Sequence, residues 1–306
     1  MKKKIVFIVG PTAVGKSDIA AVFAKKTGGE IISCDSMQIY KGMDVITSKP
    51  SATLKKKVPH HLIDIVSPEA KYDVFKYRKA ALKKIKEITQ RGNIPVFAGG
   101  TGLYMTILVD GIFAAKSQAK AVRNRLTKEA QVCGSRHMHE RLQKVDPEAA
   151  AKIHPNDPKR IIRALEVFEC TGKPISRLKE QRSGLSAEYD VRIFCLNMER
   201  GRLYKRIDAR VDKMFRQGLL AEVKKLLKLK LGKTASFAIG LRELKGYFEK
   251  LYSLDEAKLQ MKHNSRLYAK RQLTWFRKDK RIKWIEIGET EKPPKTAERI
   301  IWKKPL

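Results

Sequence analysis

The sequence predicts an α/β fold in which a parallel sheet is flanked by helices and a helical domain is inserted into it. Three observations predict it. Short apolar runs alternate with helix-like segments in the first third of the chain, the pattern of strands joined by helical crossovers. A glycine-rich turn links the first such run to a helix. Residues 115–190 then become charged, helix-like and poor in strand character before an apolar run returns at Val191-Arg192-Ile193-Phe194-Cys195-Leu196.

Taken in order, Ile5-Val6-Phe7-Ile8-Val9 is the first strand, and Asp18 to Lys26 the helix after it. Between them stands Gly10-Pro11-Thr12-Ala13-Val14-Gly15-Lys16-Ser17. This is the phosphate-binding P-loop in its required context, so the fold is P-loop NTPase-like. Its glycines let backbone N–H groups curl around phosphate oxygens, Lys16 adds a point charge, and Ser17 offers a hydroxyl to Mg²⁺. The helix N-terminus adds partial positive charge. Glu30 to Cys34 is a second strand, ending at Asp35-Ser36. Val74, Tyr77, Ala81, Ile85 and Ile88 share one helix face, and Ile94 to Ala98 is a third strand ending at Gly99-Gly100-Thr101-Gly102. Ligands gather at the carboxyl ends of strands in such sheets, so the turns at 10–17, 35–36 and 99–102 are expected to cluster.

Within the insertion, Asp157 and Pro158 start a helix as N-cap and first residue, with Ile161, Ile162, Leu165 and Phe168 on its core face. Later, Leu203, Ile207, Val211 and Met214 line another helix, and a last long helix runs from about Asp255 to Arg277. The predicted domains are 1–114 with 191–306, and 115–190.

Lys and Arg number 66 against 32 Asp and Glu, a formal net charge of +34. That field attracts polyanions, with nucleic acid foremost, although a lysine-rich surface alone would also read this way. Lys262, Arg266, Lys270 and Arg277 form a basic stripe on the last helix, interleaved with Tyr268, Trp275 and Phe276, a pattern suited to phosphate contact and base stacking. Cys34, Cys133, Cys170 and Cys195 lack paired zinc spacing and read as free thiols. The apolar run after Met1-Lys2-Lys3-Lys4 is too short for a signal peptide, and no stretch is long enough to span a membrane, so a cytoplasmic protein is expected. With no coiled coil or apolar edge, it is expected to be a monomer.

Asp35-Ser36-Met37-Gln38 sets a carboxylate beside an amide after the second strand. An amide can pair with an adenine edge and a carboxylate can accept an amine proton, which points to an aminated base as acceptor; Asp35 read by position alone is equally a helix N-cap. The third strand ends in Gly-Gly-Thr-Gly instead of an Mg²⁺-binding aspartate, which argues against a P-loop kinase.

The chain resembles the bacterial tRNA dimethylallyltransferase (tRNA isopentenyltransferase) family. The resemblance rests on 10–17, Asp35 to Tyr40, Pro59-His60-His61-Leu62-Ile63-Asp64, Gly99 to Tyr104, Asp157 to Glu166 and Arg266 to Arg277, in family order. It implies transfer of a dimethylallyl group from its diphosphate to N6 of adenosine 37, 3′ of the anticodon, in tRNAs reading codons that begin with U. It further implies a P-loop (Gly10 to Ser17) holding the diphosphate, Mg²⁺ at Ser17, and Asp35, Thr101, Lys16 and Arg123 in catalysis, with Arg125 as the alternative to Arg123. It implies that the tRNA anticodon stem-loop is held by Asp35, Ser36, Met37, Gln38, Thr101, Arg123, Lys159, Arg160, Ile161, Ile162 and Arg163. Arg242, Lys245, Arg266, Lys270, Arg271 and Arg277 would grip the stem. Two departures stand out: Val45-Ile46 where the family carries a glycine, and Leu241 where a tyrosine is common. The alternatives are an adenylate dimethylallyltransferase acting on free AMP or ATP, a small-molecule P-loop kinase, and a non-catalytic RNA-binding NTPase switch.

Overall fold

The computed structural model describes residues 2–112, 119–180 and 182–301. The chain forms two compact units, one of Met1–Val109 with Glu188–Leu306 and one of Asp110–Ala187. The boundary expected at 114–115 lies outside the described residues.

The first unit carries six strands: β1 (Lys4–Val9), β2 (Gly29–Ser33), β3 (His60–His61), β4 (Ile94–Gly99), β5 (Asp190–Asn197) and β6 (Lys283–Glu286). All pairings are parallel, in the order β3-β2-β4-β1-β5-β6. The central strands are apolar because helices cover both faces of the sheet. Ile5 to Val9 are all buried, and Phe7 stacks on Phe97 across the β1–β4 pair with centroids 4.5 Å apart. Helices α1 (Lys16–Thr27), α2 (Ala52–Lys57), α3 (Val74–Gln90) and α4 (Gly102–Val109) follow the first strands. The face predicted for α3 is buried at Tyr77, Ala81, Ile85 and Ile88, and Asp73 caps its start by accepting from Phe75 and Lys76 N–H.

Near the start of β2 the buried Glu30 accepts hydrogen bonds from Arg91 and Asn93, and pairs with His61 Nε2 at 2.7 Å. Burial raises its carboxyl, but Asn93, His61 and Arg91 together hold it below the usual range. This cluster ties β2, β3 and the end of α3 together on residues distant from the P-loop in sequence.

The second unit is helical: α5 (Ala119–Val145, interrupted at Gly134), α6 (Pro147–Lys152), α7 (Pro158–Thr171), α8 (Ile175–Glu180) and α9 (Leu185–Glu188, at the boundary). Its core includes Leu126, Met138, Leu142, Ile161, Leu165 and Val167. Asp157 caps α7 through Arg160 N–H, as the sequence predicts.

The chain then returns to the first unit through α10 (Arg200–Arg216), α11 (Leu219–Leu226), α12 (Leu241–Phe248), α13 (Leu254–Phe276) and α14 (Pro293–Ile300). Leu203, Ile207, Val211 and Met214 are buried along α10. Ser253 and Glu256 cap α13 reciprocally.

Candidate active site

The loops after β1, β2 and β4 meet at the carboxyl edge of the sheet. Cys34 N–H donates to Ala98 O at 2.8 Å, and Thr101 N–H donates to Cys34 O at 3.1 Å. The P-loop starts with Gly10 at φ 147°, where a Cβ would come 2.6 Å from Leu196 O. Ala13 has φ 64°, a left-handed conformation costly for a residue with a Cβ, and Gly15 has φ 101°. Two outside bonds flank Ala13. Arg206 of α10 donates from Nε to Ala13 O at 2.9 Å, and Gln272 of α13 accepts from Thr12 N–H at 2.8 Å.

Lys16 Nζ donates to Pro11 O at 2.6 Å. Burial and the positive Arg210 lower its pKa to about 8, while Asp35 pulls in the opposite direction. Asp35 Oδ1 accepts from Met37 N–H at 2.8 Å, so the carboxylate braces the turn after β2 and caps no helix. Thr101 Oγ1 accepts from Ser36 N–H at 3.0 Å, which locks the Asp35 turn to the β4 loop. Asp35, Thr101 and Lys16 therefore belong to one site.

Arg210 has no part in the sequence reading, and Tyr268, expected there among the stacking aromatics, stands instead beside the β4 loop. Arg210 of α10 is half-buried with its charge felt at Asp35 and Lys16, and its Nε donates to Ser48 Oγ at 2.8 Å. Tyr268 of α13 lies beside the Thr101 side chain, and burial with the nearby Asp35 charge raises its phenol well above the ordinary range, keeping it protonated. Arg210 extends the polar margin of the apolar stripe on α10, a helix start whose apolar spacing says nothing of a charge at its edge.

Gln38 is engaged at both ends: Oε1 accepts from Ser33 Oγ at 3.0 Å and Nε2 points to Ser48 O at 3.5 Å. The amide braces its own loop instead of offering both ends to an adenine edge. The segment 44–46 is in turn held by Glu222 of α11, whose carboxylate accepts from Asp44, Val45 and Ile46 N–H at 3.0, 2.9 and 2.8 Å. The two departures from the family pattern meet here. Ile46 packs beside Gly240, and Leu241 is buried in the same apolar cluster, so both are core residues.

Other expected contacts need correction. Ile161 and Ile162 are buried in the core of the helical unit, because the helical period turns them inward; they present no side chain to RNA. Arg123 lies on α5, where Nε and one terminal nitrogen donate to Glu166 Oε2 at 2.8 and 2.6 Å. Glu166 is only 1% exposed and also accepts from Arg163 at 3.0 Å, so this arginine holds the fold of the helical unit. Arg125 pairs with Glu169. On α13, Arg266 pairs with Asp208 and Lys262 with Asp212, so half of the predicted basic stripe faces α10. Lys159, Arg160, Arg242, Lys245, Lys270, Arg271 and Arg277 are exposed. Lys270 and Arg277 rim a cavity of about 400 Å³ floored by Leu203, Tyr204, Ala269 and Leu273.

No group of three or more His, Cys, Asp or Glu side chains among the described residues could hold a metal ion. All four cysteines are free; burial pushes the Cys34 and Cys195 thiols up to about 12, which keeps them protonated. No helix among the described residues is long and apolar enough to cross a membrane.

Residues 38–279 match the family model described as IPP transferase. The chain is 49% identical over 303 residues to a tRNA dimethylallyltransferase of Carboxydothermus hydrogenoformans, covering 98% of this chain and 97% of that one. It is 46% identical to one of Geobacter sulfurreducens, covering 93% and 92%. Among solved structures it is similar to a tRNA isopentenylpyrophosphate transferase from Bacillus halodurans (40% identity, TM-score 0.70, 98% and 96% covered). It is also similar to a eukaryotic dimethylallyltransferase acting on tRNA (28% identity, TM-score 0.83, 97% and 77% covered).

Proposed function

The chain belongs to the IPP transferase family, and we infer that it is a tRNA dimethylallyltransferase. It transfers a dimethylallyl group from dimethylallyl diphosphate to N6 of adenosine 37 in tRNAs reading codons that begin with U, and releases diphosphate. The observation that carries the reading is one carboxylate, Asp35, set against two half-buried cations, Lys16 and Arg210, at the mouth of a phosphate loop. A kinase of this plan would also carry a metal-binding aspartate after the third strand of the sequence reading, where this chain has Gly99 to Gly102. A prenyl transferase needs a carboxylate at Asp35 because its acceptor amine must lose a proton beside the departing diphosphate.

The adenine N6 lone pair is delocalised into the ring, so the amine is a poor nucleophile. As the N6–C1 bond forms and the C1–O bond of the donor breaks, Asp35 accepts the N6 proton, a role worth roughly 10²–10⁴-fold. The electron pair leaves with the diphosphate. Lys16, the loop N–H groups and Arg210 stabilise that charge as it develops. Thr101, whose hydroxyl accepts from Ser36 N–H, keeps the β4 loop in register with Asp35. No step is assigned to Arg123, whose guanidinium is bound to Glu166.

The donor set fits Mg²⁺. Such an ion needs only one or two protein ligands besides phosphate oxygens and water, and the Ser17 hydroxyl at the start of α1 is one; bound there, it would neutralise diphosphate charge. The target adenosine must leave the stack of the anticodon loop, at a cost of a few kcal/mol. Exposed Lys159 and Arg160 on α7, and Arg242, Lys245, Lys270, Arg271 and Arg277 on α12 and α13, supply phosphate contacts for the anticodon stem-loop.

Labelled dimethylallyl diphosphate offered with unmodified tRNA, AMP or ATP tests the reading. Label is expected in tRNA alone. Label in AMP or ATP but not tRNA would sink it.

A further inference from the structure

We propose that Gln272 is a positioning residue that couples the donor loop to the acceptor loop, so that seating a diphosphate and aligning Thr101 with Asp35 become one event. The proposal rests on the reading of the site given above.

Gln272 is 6% exposed, on the inner face of α13. Its Oε1 accepts from Thr12 N–H at 2.8 Å and its Nε2 donates to Gly100 O at 2.9 Å. One neutral amide thus bridges the loop after β1 and the loop after β4. A primary amide offers a donor and an acceptor on separate atoms without adding charge next to a phosphate site. A glutamate would lose the donor and repel the diphosphate; a lysine would lose the acceptor.

The neighbouring backbone is built for this bridge. A Cβ at Gly100 would collide with Gln272 Nε2, so the glycine clears the space for the amide. Thr12 precedes Ala13, the P-loop residue held at φ 64°, and such a conformation persists only where its surroundings over-determine it. Gln272 fixes the Pro11–Thr12 peptide, one residue before Ala13, and Arg206 fixes the carbonyl leaving Ala13. Because the Thr12 N–H is held by α13, the loop's curl is set before any phosphate arrives. On the other side, Gly100 precedes Thr101, whose hydroxyl receives Ser36 N–H beside Asp35. A shift of the donor loop therefore passes through two hydrogen bonds to the residue that registers the general base.

The same helix carries Lys270 and Arg271 on its exposed side, immediately before Gln272. A polyanion drawn to those cations would press on the element that holds both loops. The physical link is a rigid helix turn with a charged outer face and an amide inner face.

The test compares wild type with Gln272→Met, which keeps the length of the side chain and removes both hydrogen bonds, and with Gln272→Glu, which keeps only the acceptor. Calorimetric titration with inorganic diphosphate and Mg²⁺ reads the donor loop without turnover. Gln272→Met is expected to bind diphosphate about tenfold more weakly, with unchanged tRNA affinity and a melting temperature lowered by only a few degrees, the stability cost of orphaning buried hydrogen-bonding groups. Its kcat for prenyl transfer is expected to fall about 10²-fold, as displaced reacting groups do. Gln272→Glu should bind diphosphate more weakly still. Gly100→Ala combined with Gln272→Met should cost little more than either alone, because both break one bridge. Diphosphate binding equal to wild type in both Gln272 variants, or additive losses in the double variant, would overturn the proposal. So would a loss shared equally by tRNA binding and thermal stability. A wild-type enzyme that fails to prenylate tRNA while Gln272→Met still loses diphosphate affinity would instead refute the functional reading and leave this one standing.

Discussion

Replacing Asp35 by Asn is expected to abolish catalysis while leaving the site assembled. The structural work of the side chain is one hydrogen bond, Met37 N–H to Oδ1 at 2.8 Å, and an asparagine Oδ1 accepts it equally well. The Ser36–Thr101 link is untouched, since it uses backbone N–H and a threonine hydroxyl. What disappears is the proton acceptor and the negative charge. General-base catalysis contributes roughly 10²–10⁴-fold, which is about 3–5.5 kcal/mol of barrier. The charge has a second effect. A carboxylate beside Lys16 and Arg210 competes with diphosphate for those cations, so its removal should leave donor binding equal or tighter while Lys16 is protonated. The expected signature is a kcat lowered by at least about 10²-fold with no rise in the KM for dimethylallyl diphosphate and unchanged tRNA affinity. Single-turnover transfer of labelled dimethylallyl to unmodified tRNA reads kcat, filter binding reads tRNA, and thermal melting reads the fold. Retention of kcat within about tenfold, or a raised donor KM with normal kcat, would refute Asp35 as the base.

The remaining predictions use the same assays. The Lys16 pKa of about 8 places its loss of charge within reach of mild alkali: the ammonium is present below that pH and lost above it, so kcat/KM for the donor should fall as pH rises through about 8. Lys16→Ala should remove that inflection, and an unchanged profile in the variant would disprove the assignment. Arg210→Gln should cost about 10²–10³-fold in kcat by removing a cation from the developing diphosphate, whereas Arg123→Gln should cost far less; the reverse order would return Arg123 to the chemistry. Binding of tRNA should weaken steeply with salt, with a log–log slope steeper than about −4 if five or so phosphates are contacted. A flat dependence would mean that the net charge of +34 is a bystander.

What the sequence makes legible follows from where the information sits. β1, β2, β4 and β5 are read from their apolar runs because strands buried on both faces are near-continuously apolar. β3 is two residues long and β6 is exposed at Lys283 and Glu286, so at the edges of the sheet only pairing with a neighbour marks a strand. The P-loop is legible because its conformation depends on local glycine spacing. Gln272 and Arg210 are not, because their partners lie 260 and 162 residues away, and nothing in the helical period of α13 or α10 distinguishes a polar side chain that faces a loop from one that faces solvent. The expected RNA contacts of Ile161 and Ile162 failed for a simpler reason. They belong to a run matched as a unit, but the 3.6-residue period splits that run between core and surface, and Lys159 and Arg160 are exposed where Ile161 and Ile162 are buried.

The charge distribution sharpens the identity of the substrate. Many of the acidic side chains act as internal fasteners. Glu30 joins two strands to α3, Glu166 holds two arginines of the helical unit, Glu222 cradles three backbone N–H groups, and Asp208 and Asp212 pin α13 to α10. These acids cannot neutralise the outer surface without releasing the fold. A prenyl diphosphate uses only the few cations within reach of the P-loop, because exposed charges beyond about 8 Å are largely screened at physiological ionic strength. Lys270 and Arg277 have no acidic partner among the described residues and stand on the exposed side of the helix whose inner side holds Gln272 and Tyr268. Charge placed there does nothing for a small donor. It contributes free energy only when a chain of phosphates displaces counterions along it, which a tRNA does and a free adenine nucleotide does not.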